Sequence, residues 1–394
     1  MLPDGTVPTG QQRSMLGQST HSAVSSGPTK GLEHLCGSWN QSPWIPRGDC
    51  TRWSLHCAAE LTGQGCTAGC VGVRSLLLRM PTLPSANLSF STFLLTGFPG
   101  LEWAHQWISL PIFVGYLVAL VGNATILHLV RTDPSLHQPM YYFLAILAVT
   151  DLGLCMSTLP SVLGVLWFDA QTVGLVPCVL QQHFLHSFSF MESAVLFAMA
   201  LDRLVAIRFP LRYASVLTGP RVALAGVVLG MRSAAITAAP SLHLLKFNYC
   251  HPGALSHAYC LHQDMIRLAC SDTRFNRLYG LCIIMLAMGS DVLFILLSYT
   301  SILRTVLAIA SAGERLKALN TCVSHILAVL CFYVPVLGLS IVHRFGGHTS
   351  PLVHILMGTV SVLFPPLMNP VIYSIKTQQI RRAILKVISL GKIK

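Results

Sequence analysis

Three acids lie inside long apolar runs, where a carboxylate is hardest to keep: Asp151, Glu192 and Asp291. A fourth, Asp202, ends such a run and is followed at once by Arg203 in "MALDRLVAI" (199–207). A charge in hydrocarbon is costly, so each acid there needs a proton, a base or a cation, and such positions mark function. Asp202 and Arg203 can neutralise each other at a helix end, keeping the guanidinium folded back until a partner reaches it. Cys322 with His325, and His183 with His186, stand three apart and would share a helix face. Two ligands do not make a structural metal site, so these pairs are read as packing and hydrogen bonding, with no metal expected. No Ser/His/Asp order, P-loop or zinc set is present, and no enzyme is expected.

The elements that must hold these residues follow from composition. The chain has 394 residues, 53% hydrophobic and 10% charged, with a net charge of +12. Soluble domains carry about 25% charged residues, so lipid rather than water must be the solvent of this surface. From about residue 107 the chain is a series of apolar runs near 107–130, 140–164, 174–206, 221–244, 272–305, 317–343 and 351–374. Each reaches the roughly 20 residues needed to cross a bilayer as a helix. The fold class expected is therefore an all-α membrane protein, a seven-helix bundle over 107–374. Residues 1–79 are expected to be a poorly ordered extension without a cleavable signal peptide, and 80–106 an extracellular N-terminal segment.

Arg131 follows the first run, and Lys and Arg cluster between the third and fourth, between the fifth and sixth, and after the seventh. The positive-inside rule then puts the C-terminus in the cytosol and the N-terminus outside, at the plasma membrane. Such placement is membrane topology rather than a nucleic-acid patch. Lys246, Arg267, Arg274 and Arg277, between the fourth and fifth runs, are the exception. The sequons at Asn87 and Asn40 fall on the expected outer side; that at Asn123 lies within the first run and should stay unmodified. Residues 375–394 include "KTQQIRRAILKVI" (376–388), an amphipathic eighth helix suited to anionic lipid.

"MALDRLVAI" resembles the olfactory-receptor version of the Asp-Arg-Tyr motif of rhodopsin-like (class A) G-protein-coupled receptors, with Leu204 in place of the tyrosine. "GNATIL" (122–127), "PMYYFLAILAVTDLGL" (139–154), "KALNTCVSH" (317–325) and "PPLMNPVIY" (365–373) agree with it in order and spacing. The long loop "SHAYCLHQDMIRLACSDTRFN" (256–276), "FLLTGFPGLE" (93–102) and "HRFGG" (343–347) are similar to class I, fish-like olfactory receptors.

The resemblance implies disulfides Cys178–Cys260 and Cys250–Cys270; spacing alone leaves three pairings of four cysteines. It implies a polar cluster of Asn123, Asp151 and Glu192 that holds sodium, with Asn369, Pro370 and Tyr373 repacking on activation. A purely structural hydrogen-bonded network is the equal alternative for that cluster. Asp202 and Arg203 are expected to couple to a heterotrimeric G protein of the stimulatory, olfactory type and so raise cyclic AMP. At the outer end, Arg344 follows Ser340 by one turn on the same face, with His186, His262 and Gln263 expected to approach from the facing side. A lone Arg among neutral donors suits a carboxylate, whose two oxygens match its fork; the alternative is that Arg344 only snorkels into water at the membrane face. Small water-soluble odorants, carboxylic acids among them, are what the resemblance implies. Phe190, Phe247 and Tyr333 are the expected walls. The competing classes are a transporter or channel, and an intramembrane aspartyl protease using Asp151 and Asp291. Against the first, the halves show no repeat; against the second, "MGSDV" (288–292) is not the Gly-x-Gly-Asp such enzymes show.

Overall fold

The computed structural model describes residues 92–249, 253–345 and 350–391. The extension 1–79 and the sequons at Asn40 and Asn87 lie outside the described residues. Ten helices carry the fold among the described residues: α1 (His105–Thr132), α2 (Pro139–Trp167), α3 (Leu175–Arg208), α4 (Pro210–Val216), α5 (Gly219–Leu244) and α6 (His262–Leu268) come first. They are followed by α7 (Arg274–Leu307), α8 (Ala312–Phe345), α9 (Pro351–Lys376) and α10 (Gln378–Gly391). Seven of them correspond to the seven apolar runs, with ends within a few residues of each run.

Six of the seven are long and apolar enough to cross a membrane by composition alone, and α3 is not among them. Its shortfall has a physical cause. α3 packs against α2, α5, α7 and α8, so its polar residues face protein rather than lipid. Gln182, Ser187, Glu192, Ser193 and Asp202 are all buried there. α7 is one span with a π-helical turn at Ile284–Met288, a local widening that often accompanies function.

Proline sets two of the joints. Pro370 has no N–H to give the carbonyl of Pro366, four residues back, and the Asn123 side chain donates to that oxygen instead at 2.9 Å. The close approach depends on Gly122, whose added Cβ would lie 2.8 Å from Pro370. Pro240 frees the carbonyl of Ile236 in the same way, and the Tyr279 hydroxyl donates to it at 3.0 Å. α5 is thereby tied to α7.

At one end of the bundle, strand β1 (Thr92–Leu95) pairs antiparallel with β2 (Thr172–Gly174) and parallel with β3 (Gly253–Leu255), in the order β2-β1-β3. Phe93 packs edge-on against Tyr249 with ring centres 4.9 Å apart. Cys178 and Cys260 are bonded, with Cα atoms 5.4 Å apart, and both are fully buried. Gln181 secures the same loop, accepting from the Cys260 N–H at 2.8 Å while donating to Ser157 and Ser161 of α2. Cys270 is disulfide-bonded, and Cys250 lies outside the described residues. At the opposite, basic end, Ile380 and Ala383 bury one face of α10, while Arg381, Arg382 and Lys386 stay exposed.

Candidate functional site

Between the disulfide-held loop and the middle of the bundle lies a cavity of about 470 Å³. His186 comes from α3, His262 and Gln263 from α6, and Ser340 from α8; all four line it. The rings of His186 and His262 lie 6.1 Å apart. No side-chain hydrogen bond joins His186 or Gln263 to another described residue, so their polar atoms remain available. Burial pushes the pKa of His262 down to about 4, which leaves it a neutral imidazole at pH 7. Arg344 belongs to α8 one turn beyond Ser340, but its side chain lies outside the described residues.

Phe190 lines the cavity; Phe247 and Tyr333 do not. Phe247 instead packs on His243, with ring centres 4.9 Å apart, and Tyr333 shares a 2.8 Å hydrogen bond with Ser193 below the floor. Residue types alone could not orient these rings. The sequence reading also missed Arg267 and Arg277, which border the cavity, so Arg344 is not a lone arginine at this end. Their signal was present as the unexplained bases between the fourth and fifth runs. Gln182, Thr237 and Ser241 supply a polar wall that periodicity could not assign.

Under the cavity sit the intramembrane acids. The Asn369 amide donates to Asp151 at 3.0 Å and to Glu192 at 3.2 Å, bringing those three residues together. Asn123 is not part of that contact; it serves the Pro366 carbonyl and its own helix at Ala119. Asp291 accepts from Ser193 at 2.7 Å and faces Arg232 at 3.9 Å. Asp151 and Asp291 therefore belong to separate clusters with different partners. Among the described residues no group of three or more His, Cys, Asp or Glu side chains could hold a metal. His183 contacts Thr237 and Ser241 across to α5, and His325 shares a 2.7 Å bond with Tyr299.

At the basic end, the expected Asp202–Arg203 ion pair is replaced. Asp202 accepts from the Tyr213 hydroxyl of α4 at 2.8 Å, while a terminal nitrogen of Arg203 contacts the Met140 sulfur. Neighbours on a helix point about 100° apart, so each side chain meets a different element. Tyr373 is buried with its hydroxyl 4.0 Å from the Met199 sulfur.

The sequence profile of the olfactory receptor family matches residues 112–390. The chain belongs to the olfactory receptor family. It is 54% identical to human olfactory receptor 51L1 over 293 residues, 74% of this chain and 93% of that one. It is 53% identical to human olfactory receptor 51G1 over 307 residues, 78% and 96% of the two chains. Squid rhodopsin shares the fold, with a TM-score of 0.60 at 18% identity over 74% of this chain and 87% of that one. This olfactory receptor is thus a multi-pass membrane receptor with a small-molecule ligand and a G-protein partner, and not an enzyme.

Proposed function

We propose that this receptor takes a small carboxylate-bearing odorant from the extracellular side and activates a stimulatory, olfactory-type G protein to raise cyclic AMP. The cavity carries the reading. His186, Gln263 and Ser340 reach it from three elements, with neutral His262 beside them and Arg344 one turn further along α8. Neutral donors orient an acid, and a guanidinium binds both its oxygens. The basic end would face the cytosol, with the N-terminus outside, and there Asp202 and Arg203 would meet the G protein while Asn369, Pro370 and Tyr373 repack.

The Asp151–Asn369–Glu192 cluster suits a proton or a sodium ion. Two buried carboxyls share one amide, and Glu192 Oε2 and Asn369 Oδ1 have no hydrogen-bond partner. Oxygen ligands of this kind match a hard cation, which would supply countercharge there. The experiment is a cyclic AMP assay in transfected cells over short acids, their methyl esters, alcohols and aldehydes. Responses confined to neutral compounds would overturn the acid reading.

A further inference from the structure

One buried polar atom in the cavity wall has no role in that scheme. Gln182 of α3 lines the cavity and is 1% exposed, and its Oε1 finds no hydrogen-bond donor among the described residues. The two ends of a glutamine amide have the same shape, so the surrounding bonds must say which end faces where. Its Nε2 lies 2.7 Å from Ser241 Oγ of α5. That hydroxyl has one proton, and it donates to the Thr237 carbonyl at 2.7 Å. Ser241 Oγ therefore accepts from the amide. The amide NH2 faces Ser241, and the acceptor oxygen is left over.

The oxygen is also held in place. Gln181, the preceding residue, ties the same turn of α3 to the Cys260 N–H at 2.8 Å and to Ser161 of α2 at 2.7 Å. An acceptor fixed in this way need not be ordered when a ligand arrives. Water entering the cavity can bond to it, and a ligand that displaces such a water must replace the bond or lose affinity. The donor that fits is neutral. Among the described residues no Asp or Glu lines the cavity, whereas Arg267 and Arg277 do, so an ammonium would find no carboxylate there. A carboxylate only accepts, and the lone pairs of Oε1 would repel it. An amide would bring a carbonyl that needs a donor of its own, which leaves a hydroxyl as the smallest neutral donor.

We infer that the cavity selects a ligand bearing a hydroxyl, which donates to Gln182 Oε1. This goes beyond the acid reading and stands whether the rest of the ligand is a carboxylate or neutral. A site with a buried acceptor rejects the analogue that lacks the donor, because the acceptor is then left bare. The resulting difference in potency should be about 5- to 150-fold.

The test takes hexanoate and methyl hexanoate, each with its derivatives hydroxylated or methoxylated along the chain, through the cyclic AMP assay. Surface expression is measured for every variant. In the wild type at least one hydroxylated compound should exceed both its parent and its methoxy counterpart, which accepts but cannot donate, by about fivefold or more. Gln182→Met, close in volume, should bring the three to equal potency. Ser241→Ala frees the amide to turn its NH2 toward the cavity, so the methoxy compound should gain on the hydroxylated one. Equal potency of hydroxylated and methoxylated compounds throughout the wild type would overturn the inference. So would a hydroxyl preference that survives Gln182→Met, or responses to the parents with none to any hydroxylated compound. A hydroxyl preference confined to the esters would support this inference while removing the acid reading.

Discussion

Around the cavity, no side-chain hydrogen bond joins His186 or Gln263 to another described residue, whereas at the basic end several polar side chains are tied across elements, with Arg203 Nε and His325 Nε2 left buried without a partner. Asp202 is bonded to Tyr213, Arg208 to Ser301 at 2.8 Å, and His325 to Tyr299. Leaving a buried polar group unpaired costs about 1–3 kcal/mol, and on the cavity wall Gln182 Oε1 is such an atom, placed where a ligand could satisfy it. Ties between elements do the opposite: they hold one arrangement. On the proposed reading, one end receives the ligand and the other exchanges its ties when the G protein docks. What makes the receiving end affordable is its frame, since the disulfide, Gln181 and the three-stranded sheet fix the loop without using the cavity's polar atoms.

The largest expected effect breaks that frame. Cys178→Ser and Cys260→Ser should each retain the receptor in the endoplasmic reticulum, with surface labelling near background. They remove the same bond, so the double variant should be little worse than either single one. Additive losses in surface labelling would show that each thiol has a separate role. Next in size is the releasing end: Arg203→Ala should keep ligand binding and surface expression while abolishing the cyclic AMP response. Full signalling by that variant would remove Arg203 from coupling.

The smallest effect concerns the loop beside the cavity, and its sign can be worked out. Burial alone would raise the Asp264 pKa, but the hydrogen bond and charge of His257, aided by Arg267, outweigh it and hold the carboxyl below the usual range. Its stabilisation is present above the unfolded-state pKa and is lost as pH falls through the folded one. His262 has a folded pKa of about 4, below its ordinary value, so the unfolded chain takes its proton first on acidification. Both groups therefore weaken the loop as pH falls, His262 between about pH 6.5 and 4 and Asp264 lower still. The melting temperature of purified receptor should drop by a few degrees from pH 7 to 5. His262→Gln should flatten that segment; an unchanged slope would mean that His262 is not the titrating group.

The bundle was legible because lipid demands long apolar helices, and each run could be bounded by its flanking bases. Cavity residues on regular helices, such as His186 and Ser340, were legible from spacing and resemblance together. What could not be read were pairings made across elements by single atoms. The carbonyl that Pro370 leaves open on Pro366 is implicit in the sequence, but nothing there names Asn123 as its donor. The Asp202–Arg203 adjacency suggested an ion pair, and only the position of α4 showed that Tyr213 takes the carboxylate. Arg267 and Arg277 were visible as bases on the wrong side of the charge pattern, yet that pattern could not place them at a cavity.

The most direct measurement of the central claim is the potency ratio of an acid agonist to its methyl ester in wild type, Arg344→Lys and Arg344→Ala. Loss of the guanidinium should weaken the acid by about 10- to 150-fold and leave the ester nearly unchanged, since a charge-assisted bond contributes about 1.5–3 kcal/mol. Arg344→Lys keeps the charge without the fork and should fall between the two. Equal losses for acid and ester would contradict the account, because Arg344 would then support the outer bundle rather than hold a carboxylate.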